Sequence, residues 1–517
     1  MPSPTTDKIL TAEQIRQADQ HTIAQEPISS LDLMERAAQA ALDELLRLID
    51  VDAFSALEIV CGIGNNGGDG LVIARRLLVS LPIRVTVVAF SEQVSGDFAA
   101  NLQRLQSQAH VSILHCHHPE QLPVFSSDAL ILDALFGVGL NRPITEGLAA
   151  AAIRAINQSG ASVIAIDLPS GLMADDNRAN PLTHVVRAKH TLTFEVAKRC
   201  LLLDAYAPWV GQWHLIPIGL EADFLEQVPA NDRLLQSHHL VLPTRSRTAH
   251  KGTHGHALLC VGSYGKMGAA LLAGRACLRA GAGLLTLHIP RCGYAIAQTA
   301  LPEAMTECDS SEHILTRLPE ALDRFTAIGV GCGIGQTPET AEMLHDLIRS
   351  VSVPLVLDAD ALNLLARHPE WLSLLPKGSI LTPHPKELSR LIGEGNLLPE
   401  DLLERQRAFS QKYHCYIIGK GAYSRLTTPE GKAWFHYQTG NPGMATGGSG
   451  DMLTGILAGL LAQGYTPEAA VQLGVYWHGK AGDLAAQKHG MPSMLPSDMI
   501  EEMGAALGEL SKQVSVQ

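Results

Sequence analysis

With 517 residues, 46% of them hydrophobic and 18% charged, the chain has apolar material for about two to four packed domains and is not a disordered polymer. A net charge of −13 argues against nucleic acid as the main partner, while backbone amides can still hold a nucleotide locally. No basic stretch followed by an apolar one opens the chain, no apolar run reaches the roughly 18 residues of a membrane span, and the nine cysteines include no Cys-x-x-Cys pair; a cytoplasmic protein with reduced thiols, no signal peptide and no membrane partner is expected.

Residues 1–10 read as a mobile tail. Thr11 and Gln14 have capping-box spacing and predict a helix through Ile15, Ala18 and Ile23. Ser30 is placed to cap a second helix with apolar positions at Leu33, Met34, Ala37, Ala38, Ala41 and Leu45. The apolar run Leu57–Cys61 leads into Gly62-Ile-Gly-Asn-Asn-Gly-Gly-Asp-Gly70, read as a loop, with helical sequence from Leu71. Strand, glycine-rich turn and helix make an anion or nucleotide site, although the full Gly-x-Gly-x-x-Gly spacing is missing. Residues 83–90 form a Val-rich strand. His115-Cys-His-His118 reads as a solvated loop, because no second ligand pair stands at a recognisable metal spacing. Residues 129–133 and 163–167 are short strands ending in Asp133 and Asp167, with helical sequence around 147–156 between them. This alternation predicts a parallel, doubly wound α/β sheet with helices on both faces, Rossmann-like in kind. Both carboxylates would then converge near the 65–69 loop at the edge where ligands bind in such folds.

Leu33-Met-Glu-Arg-Ala-Ala, the 62–70 loop, Asp133-Ala-Leu-Phe-Gly and Asp167-Leu-Pro-Ser-Gly-Leu, in this order, resemble the NAD(P)HX epimerase family over residues 10–220. That family interconverts the R and S hydrates of damaged NADH and NADPH. The resemblance implies that Asn65, Asn66, Gly67, Gly68 and Asp69, with Gly137, Val138, Gly139, Leu140, Asn141, Arg142 and Pro143, line the hydrated cofactor. It implies that Asp167 touches the substrate as acid or base, and that Asn66, Asp133 and Ser170 hold a potassium ion, for which oxygen ligands are suited. Where the family often carries a further aspartate after Pro-Ser-Gly-Leu, this chain has Met173.

Residues 220–243 have no clean period, and a boundary near 225 divides the chain into domains 1–225 and 226–517. The second domain repeats the pattern of strands that end on glycines or polar turns: around 251–263, 284–289, 328–333, 354–363, 379–387 and 416–421, with a small-residue helix over 268–282. His254 and His256 flank a glycine and read as solvated. Asp358 and Asp360 fit the start of a helix over 361–365; His384 fits a rigid turn or a ligand contact; Lys420, between glycines, meets either phosphate or water. The last motif, Asn441-Pro-Gly-Met-Ala-Thr-Gly-Gly-Ser-Gly-Asp451, sets glycines 443, 447, 448 and 450 before one carboxylate at a helix start. Such a loop lets main-chain N–H groups close on a phosphate, with the helix end adding positive charge. Asp451 can take a proton from a hydroxyl attacking phosphorus, or simply cap the helix.

Lys251-Gly-x-x-Gly, Gly331-x-Gly, Thr382-Pro-His-Pro-x-Glu, Gly419-Lys-Gly and the final loop together resemble the ADP/ATP-dependent NAD(P)HX dehydratase family over residues 235–510, which has a ribokinase-like fold. The resemblance implies that Ala269, Gly333, His384 and Asp451 contact the hydrate, and that Lys420, Gly421, Ala422, Tyr423, Ser424 and Gly450 contact the adenine nucleotide. Lys386 stands where the family's turn usually has glycine, which could alter that turn or add a charge facing nucleotide. The sum is a two-site repair enzyme: epimerisation first, then dehydration of the S form with ADP (the donor favoured) or ATP as co-substrate, magnesium for phosphoryl transfer, and a homo-oligomeric state. The rivals are a kinase of a small alcohol, or a first domain that only binds nucleotide.

Overall fold

The computed structural model describes residues 6–77, 82–108, 111–242, 245–393, 395 and 397–516. The chain divides into two compact units, Met1–Asp232 and Arg233–Gln517.

In the first unit, β1 (Leu57–Cys61), β2 (Ile83–Val88), β3 (Val111–Cys116), β4 (Leu130–Ala134), β5 (Ser162–Ile166), β6 (His190–Phe194) and β7 (Gln212–Ile216) form a parallel sheet in the order β3-β2-β1-β4-β5-β6-β7. The order reverses between β1 and β4, and in such sheets a crevice opens at that switch point. The helices are α1 (Ala12–Gln25), α2 (Ser30–Leu48), α3 (Asn65–Arg76), α4 (Gly96–Gln106), α5 (Gly147–Gln158), α6 (Ala207–Val210) and α7 (Ala222–Gln227). Strand side chains alternate between two cores: Ile59 and Leu132 pack with α2, α3 and α4, whereas Val60 and Ile131 pack with α5.

The Thr11–Gln14 capping box is present, and the apolar stripe of α2 is buried. Several details depart from expectation. Ser29, not Ser30, caps α2. Helix α3 begins at Asn65, so residues 65–70 are its first turns rather than a loop. A Cβ on Gly67 would lie 1.8 Å from the Gly62 carbonyl oxygen, and one on Gly70 would lie 2.8 Å from Ala134 Cβ. The helix thus presses directly on the strand ends, and this packing outweighs the poor helix propensity of glycine. Of the expected tail, residues 1–5 lie outside the described residues, but Lys8, Ile9 and Leu10 are buried and held: Lys8 Nζ donates to the carbonyls of Leu225, Glu226 and Val228, and Ile9 N to Asp232 O. His115 and Cys116 end edge strand β3 rather than lying in a loop. The aperiodic stretch 220–243 contains α7 and the short strand β8 (Asp232–Leu234); Pro243 lies outside the described residues.

The ten-stranded sheet of the second unit runs β11-β10-β9-β12-β13-β14-β15-β16-β17-β8. Its strands are β9 (His256–Cys260), β10 (Leu284–Ile289), β11 (Met305–Cys308), β12 (Ala327–Val330), β13 (Leu355–Leu357), β14 (Ile380–Leu381), β15 (Tyr416–Gly419), β16 (Ser424–Thr427) and β17 (Ala433–His436). Pairing is parallel from β11 through β15 and antiparallel in the β15–β16–β17 meander. The helices are α8 (Met267–Arg279), α9 (Tyr294–Ala300), α10 (Pro338–Ser350), α11 (Asp360–Arg367), α12 (Pro385–Ile392), α13 (Pro399–Tyr413), α14 (Ser449–Ala462), α15 (Pro467–His489) and α16 (Pro496–Val516). α8, α14, α15 and α16 build one core, and α10, α11, α12 and α13 the other. His256 is a strand residue rather than a loop residue: its ring meets Phe325 edge-on at 4.7 Å and its Nε2 lies 2.8 Å from Thr286 Oγ1.

Helix α14 is buried along nearly its whole length and lies directly on α8. A Cβ on Gly455 would stand 2.1 Å from Ala273 O, and one on Gly459 would stand 2.6 Å from Cys277 O. Gly455→Ala therefore separates the two helices and lowers stability by about 1–3 kcal/mol despite better helix propensity. Thermal unfolding checks this; a melting temperature at or above the parent's would show that α8 retreats without cost.

Candidate active sites

In the first unit the loops after β4 and β5 meet the start of α3. Helix α3 has no side-chain cap at Gly64, and among the described residues the N–H groups of Asn65, Asn66 and Gly67 donate to no carbonyl. They form an anion-attracting helix end. Asp167 follows β5 with φ 66°, a left-handed conformation that an L-residue adopts at a cost of about 1–3 kcal/mol. Its Oδ2 accepts from Val138 N at 2.9 Å and its Oδ1 from Lys198 Nζ at 2.8 Å. A Cβ on Gly137 would be 2.7 Å from Asp167 Oδ2 and 3.1 Å from Asn66 Oδ1, so only glycine lets these groups approach there. The structure thus brings Asn66, Gly137, Val138 and Asp167 together. Gly67 and Gly68 are packed against Gly62 and Met34 and can offer a ligand only backbone, whereas Gly139, Asn141 and Arg142 are exposed.

Asp133 is fully buried on β4. Its two oxygens accept from Ser170 Oγ at 2.6 Å and Ser170 N at 2.8 Å. Burial pushes its pKa up to about 6 against these hydrogen bonds. The Asn66 amide nitrogen is buried without a partner. The oxygens of Asp133 and Ser170 are of the kind a hard monovalent cation takes, and Asp133 has no ion-pair partner among the described residues. Lys198 escaped the sequence reading. It is wholly buried, and its ammonium is also 2.8 Å from Thr193 Oγ1 and from Phe194 O. It stands beside a second cation in Glu195-Val-Ala-Lys-Arg-Cys200, and nothing in the sequence set it apart.

In the second unit the carboxyl ends of β12, β13, β14 and β15 face the start of α14. Gly448, at φ 101°, provides no side-chain cap, and among the described residues the N–H groups of Gly447, Gly448, Gly450 and Asp451 donate to no carbonyl. Asp451 lies in the first turn. Burial raises its pKa, opposed by a hydrogen bond from the Cys332 thiol and modulated by the charges of Asp358, Lys420 and Asp360. Lys420 Nζ is 2.7 Å from Asp358 Oδ1, and a Cβ on Gly450 would lie 3.0 Å from that ammonium. Thr454 Oγ1 donates to Asp358 Oδ2 at 3.0 Å. Burial disfavours the Asp358 anion, but the Lys420 charge and the bonds from Lys420, Thr382 and Thr454 outweigh it and hold the pKa below the ordinary range. Asp358 is therefore a buried partner of Lys420 rather than only a helix start, and the next residue, Ala359, has φ 48°.

Ala269 and Gly333 abut: a Cβ on Gly333 would be 3.3 Å from Ala269 Cβ. His384 caps α12, with Nδ1 accepting from Lys386 N at 3.1 Å and its own N–H donating to Glu387 Oε2 at 2.9 Å. Lys386 sits in the first helical turn and leaves that cap intact. Gly421 and Ala422 are exposed in the turn joining β15 to β16, next to Lys420; Tyr423 and Ser424 are half-buried.

Two parallel α/β units, each with an uncapped helix N-terminus beside a buried carboxylate and a lysine, define a fusion of two small-molecule enzymes. A family model described as YjeF-related protein N-terminus matches residues 30–200, and one described as NAD(P)H-hydrate dehydratase matches residues 257–504. The chain is 35% identical to the bifunctional NAD(P)H-hydrate repair enzyme Nnr of Moorella thermoacetica, covering 98% of both chains. It is 33% identical to the enzyme of that name from Escherichia coli K12, over 95% of this chain and 92% of that one. An ADP/ATP-dependent NAD(P)H-hydrate dehydratase from Bacillus subtilis, co-crystallised with ATP/Mg2+, aligns at 29% identity with a TM-score of 0.47, over 54% of this chain and 98% of that chain. The chain belongs to the bifunctional NAD(P)H-hydrate repair enzymes, which join an epimerase to a dehydratase.

Proposed function

We propose that the first unit interconverts the R and S epimers of NADHX and NADPHX at C6 of the nicotinamide ring, and that the second converts the S epimer to NADH or NADPH at the expense of ADP or ATP. The observation that carries the second step is Asp451 in the first turn of α14, beside amides without carbonyl partners and the Lys420–Asp358 pair. Asp451 takes the proton of the C6 hydroxyl as that oxygen attacks the terminal phosphorus. Amides at 447–450 and the Lys420 ammonium stabilise charge developing on the phosphoryl oxygens. Phosphate, a far better leaving group than hydroxide, then departs from C6 with loss of a C5 proton, and the dihydropyridine is restored.

Ala269, Gly333 and His384 would position the hydrate, and residues 420–424 with Gly450 the nucleotide. Among the described residues no cluster of three or more His, Cys, Asp or Glu is arranged to hold a metal, so magnesium would enter on the nucleotide phosphates and neutralise their charge. In the first unit, residues 65–69 and 137–143 would line the hydrate, with Asp167, oriented by Lys198 and Val138 N–H, as the group that exchanges a proton with it. Potassium held by oxygens of Asn66, Asp133 and Ser170 would supply positive charge beside that loop. Nine free cysteines fit the reducing cytoplasm; no helix of the described residues is long and apolar enough to cross a membrane. A homo-oligomer of this chain, checked by light scattering, completes the reading.

The test is absorbance at the reduced-nicotinamide band with mixed R and S NADHX, magnesium and potassium, and ADP or ATP in parallel. Recovery of the whole mixture with one nucleotide establishes both activities and names the donor. Recovery of the S fraction alone removes the epimerase assignment. No recovery with either nucleotide, accompanied by a stable phosphorylated alcohol, favours a small-alcohol kinase.

A further inference from the structure

Asp360, Asn363 and Arg367 recur at helical spacing and so share one face of α11. That helix packs against α12, which carries Arg390. Asn363, Arg367 and Arg390, with Gln336 and Ala366, line a cavity of about 600 Å³.

Both guanidiniums in this cavity are pinned, and by neutral groups. Arg390 Nη1 donates to Asn363 Oδ1 at 2.7 Å, and Asn363 Nδ2 in turn donates to Ala359 O at 3.1 Å. Arg367 Nη2 donates to Gln336 Oε1, and Gln336 Nε2 donates to Asp360 Oδ1 at 2.7 Å. Among the described residues neither arginine has a carboxylate partner. The acids on the same helices are engaged elsewhere. Glu387, one turn before Arg390, accepts from His384 N at 2.9 Å through Oε2 and faces His384 Nε2 at 3.3 Å through Oε1. Asp360, two turns before Arg367, accepts from Gly335 N at 2.9 Å through Oδ2, which also faces Lys266 Nζ at 3.6 Å. Two oriented guanidinium forks without counter-charges, lining one cavity, suit an anion that offers several oxygens, and phosphate matches that fork geometry.

The cavity adjoins the residues read as hydrate contacts. Gln336 closely follows Gly333 along the chain. Lys266, whose Cβ and carbonyl oxygen would lie 3.2 Å from a Cβ on Gly333, reaches Asp360. Arg390 stands on the helix that His384 caps. The 420–424 turn, read as the adenine nucleotide site, contributes no lining residue.

We propose that Arg367 and Arg390 bind a phosphate group of the hydrated dinucleotide and so anchor the substrate away from its reacting carbon. This rests on the dehydratase reading of the second unit. NADHX and NADPHX share a diphosphate, and NADPHX carries one further phosphate on its adenosine ribose; either presents the required oxygens. No bond to this phosphate changes during dehydration, so the contact acts on substrate binding rather than on the chemical step.

The test measures dehydration of S-NADHX and of S-NADPHX by the full chain, each with saturating nucleotide and magnesium, from absorbance at the reduced-nicotinamide band. Arg367→Gln and Arg390→Gln should each raise the KM for hydrate about 10–100-fold, the usual worth of a hydrogen bond to a charged group, with kcat carrying little of the loss. The KM for ADP or ATP and the thermal melt should stay close to the parent's, since both side chains are exposed. A rise for both hydrates assigns the diphosphate, and a rise for NADPHX alone assigns the ribose phosphate; both outcomes support the subsite. Either variant with a KM within about threefold of the parent's for both hydrates, or a rise in the nucleotide KM instead, would overturn it. A parent chain that dehydrates neither hydrate would overturn the dehydratase reading itself, and this is seen before any variant is made.

Discussion

Asp451→Asn should lower dehydration of S-NADHX by about 10²–10⁴-fold, the usual contribution of a positioned general base, while R and S epimers continue to interconvert. The substitution keeps side-chain volume and hydrogen-bonding reach, so the first turn of α14 and its packing on α8 persist and the uncapped amides still meet phosphate. What disappears is the acceptor for the C6 hydroxyl proton. Nucleotide affinity should therefore change little and kcat should carry the loss, which separates a missing base from a damaged site. The parent's pH profile supplies a second check. Burial, the largest influence on Asp451, raises its pKa. A base works only deprotonated, so kcat should fall on acidification through a limb above the ordinary carboxylate range, and the variant should lack that limb. Dehydration retained within tenfold would remove Asp451 from the base role and leave phosphoryl transfer to the amides and Lys420.

Lys198→Met should abolish epimerisation and lower the stability of the first unit by about 3–5 kcal/mol. The ammonium is wholly buried, and its ion pair with Asp167 at 2.8 Å is shielded from solvent. Removing one partner leaves an uncompensated buried charge on a residue already held at a left-handed φ of 66°. Methionine fills the volume of the lysine stem, so the loss is electrostatic rather than a cavity effect. The double change Lys198→Met with Asp167→Asn removes both charges and should recover most of the stability but none of the epimerase activity, since a paired replacement of a buried ion pair is often near neutral. Denaturant unfolding and epimer chromatography read the two effects separately. A single variant as stable as the parent would mean that water or another group compensates Asp167.

Helix and strand periods, the Thr11–Gln14 cap, the glycine loops and the strand-end aspartates are local signals, and they were legible because propensity, capping and turn chemistry act over a few residues. Periods failed where elements were short or packing overrode preference: β3, β6 and β7 were not anticipated, the buried segment 8–10 read as a tail, and residues 65–70 read as a loop although close strand contact makes them helical. The spacing of glycines and aspartates in the 62–70 and 441–451 loops, joined to their resemblances, pointed to a pair of sites for one damaged cofactor. Only the tertiary structure decided that Asp358 is the buried partner of Lys420 and that Lys198 is the buried partner of Asp167. These residues lie far apart along the chain, and the burial and neighbouring charges that set their chemistry come into being only when parallel strands from distant segments bring their carboxyl ends to one edge.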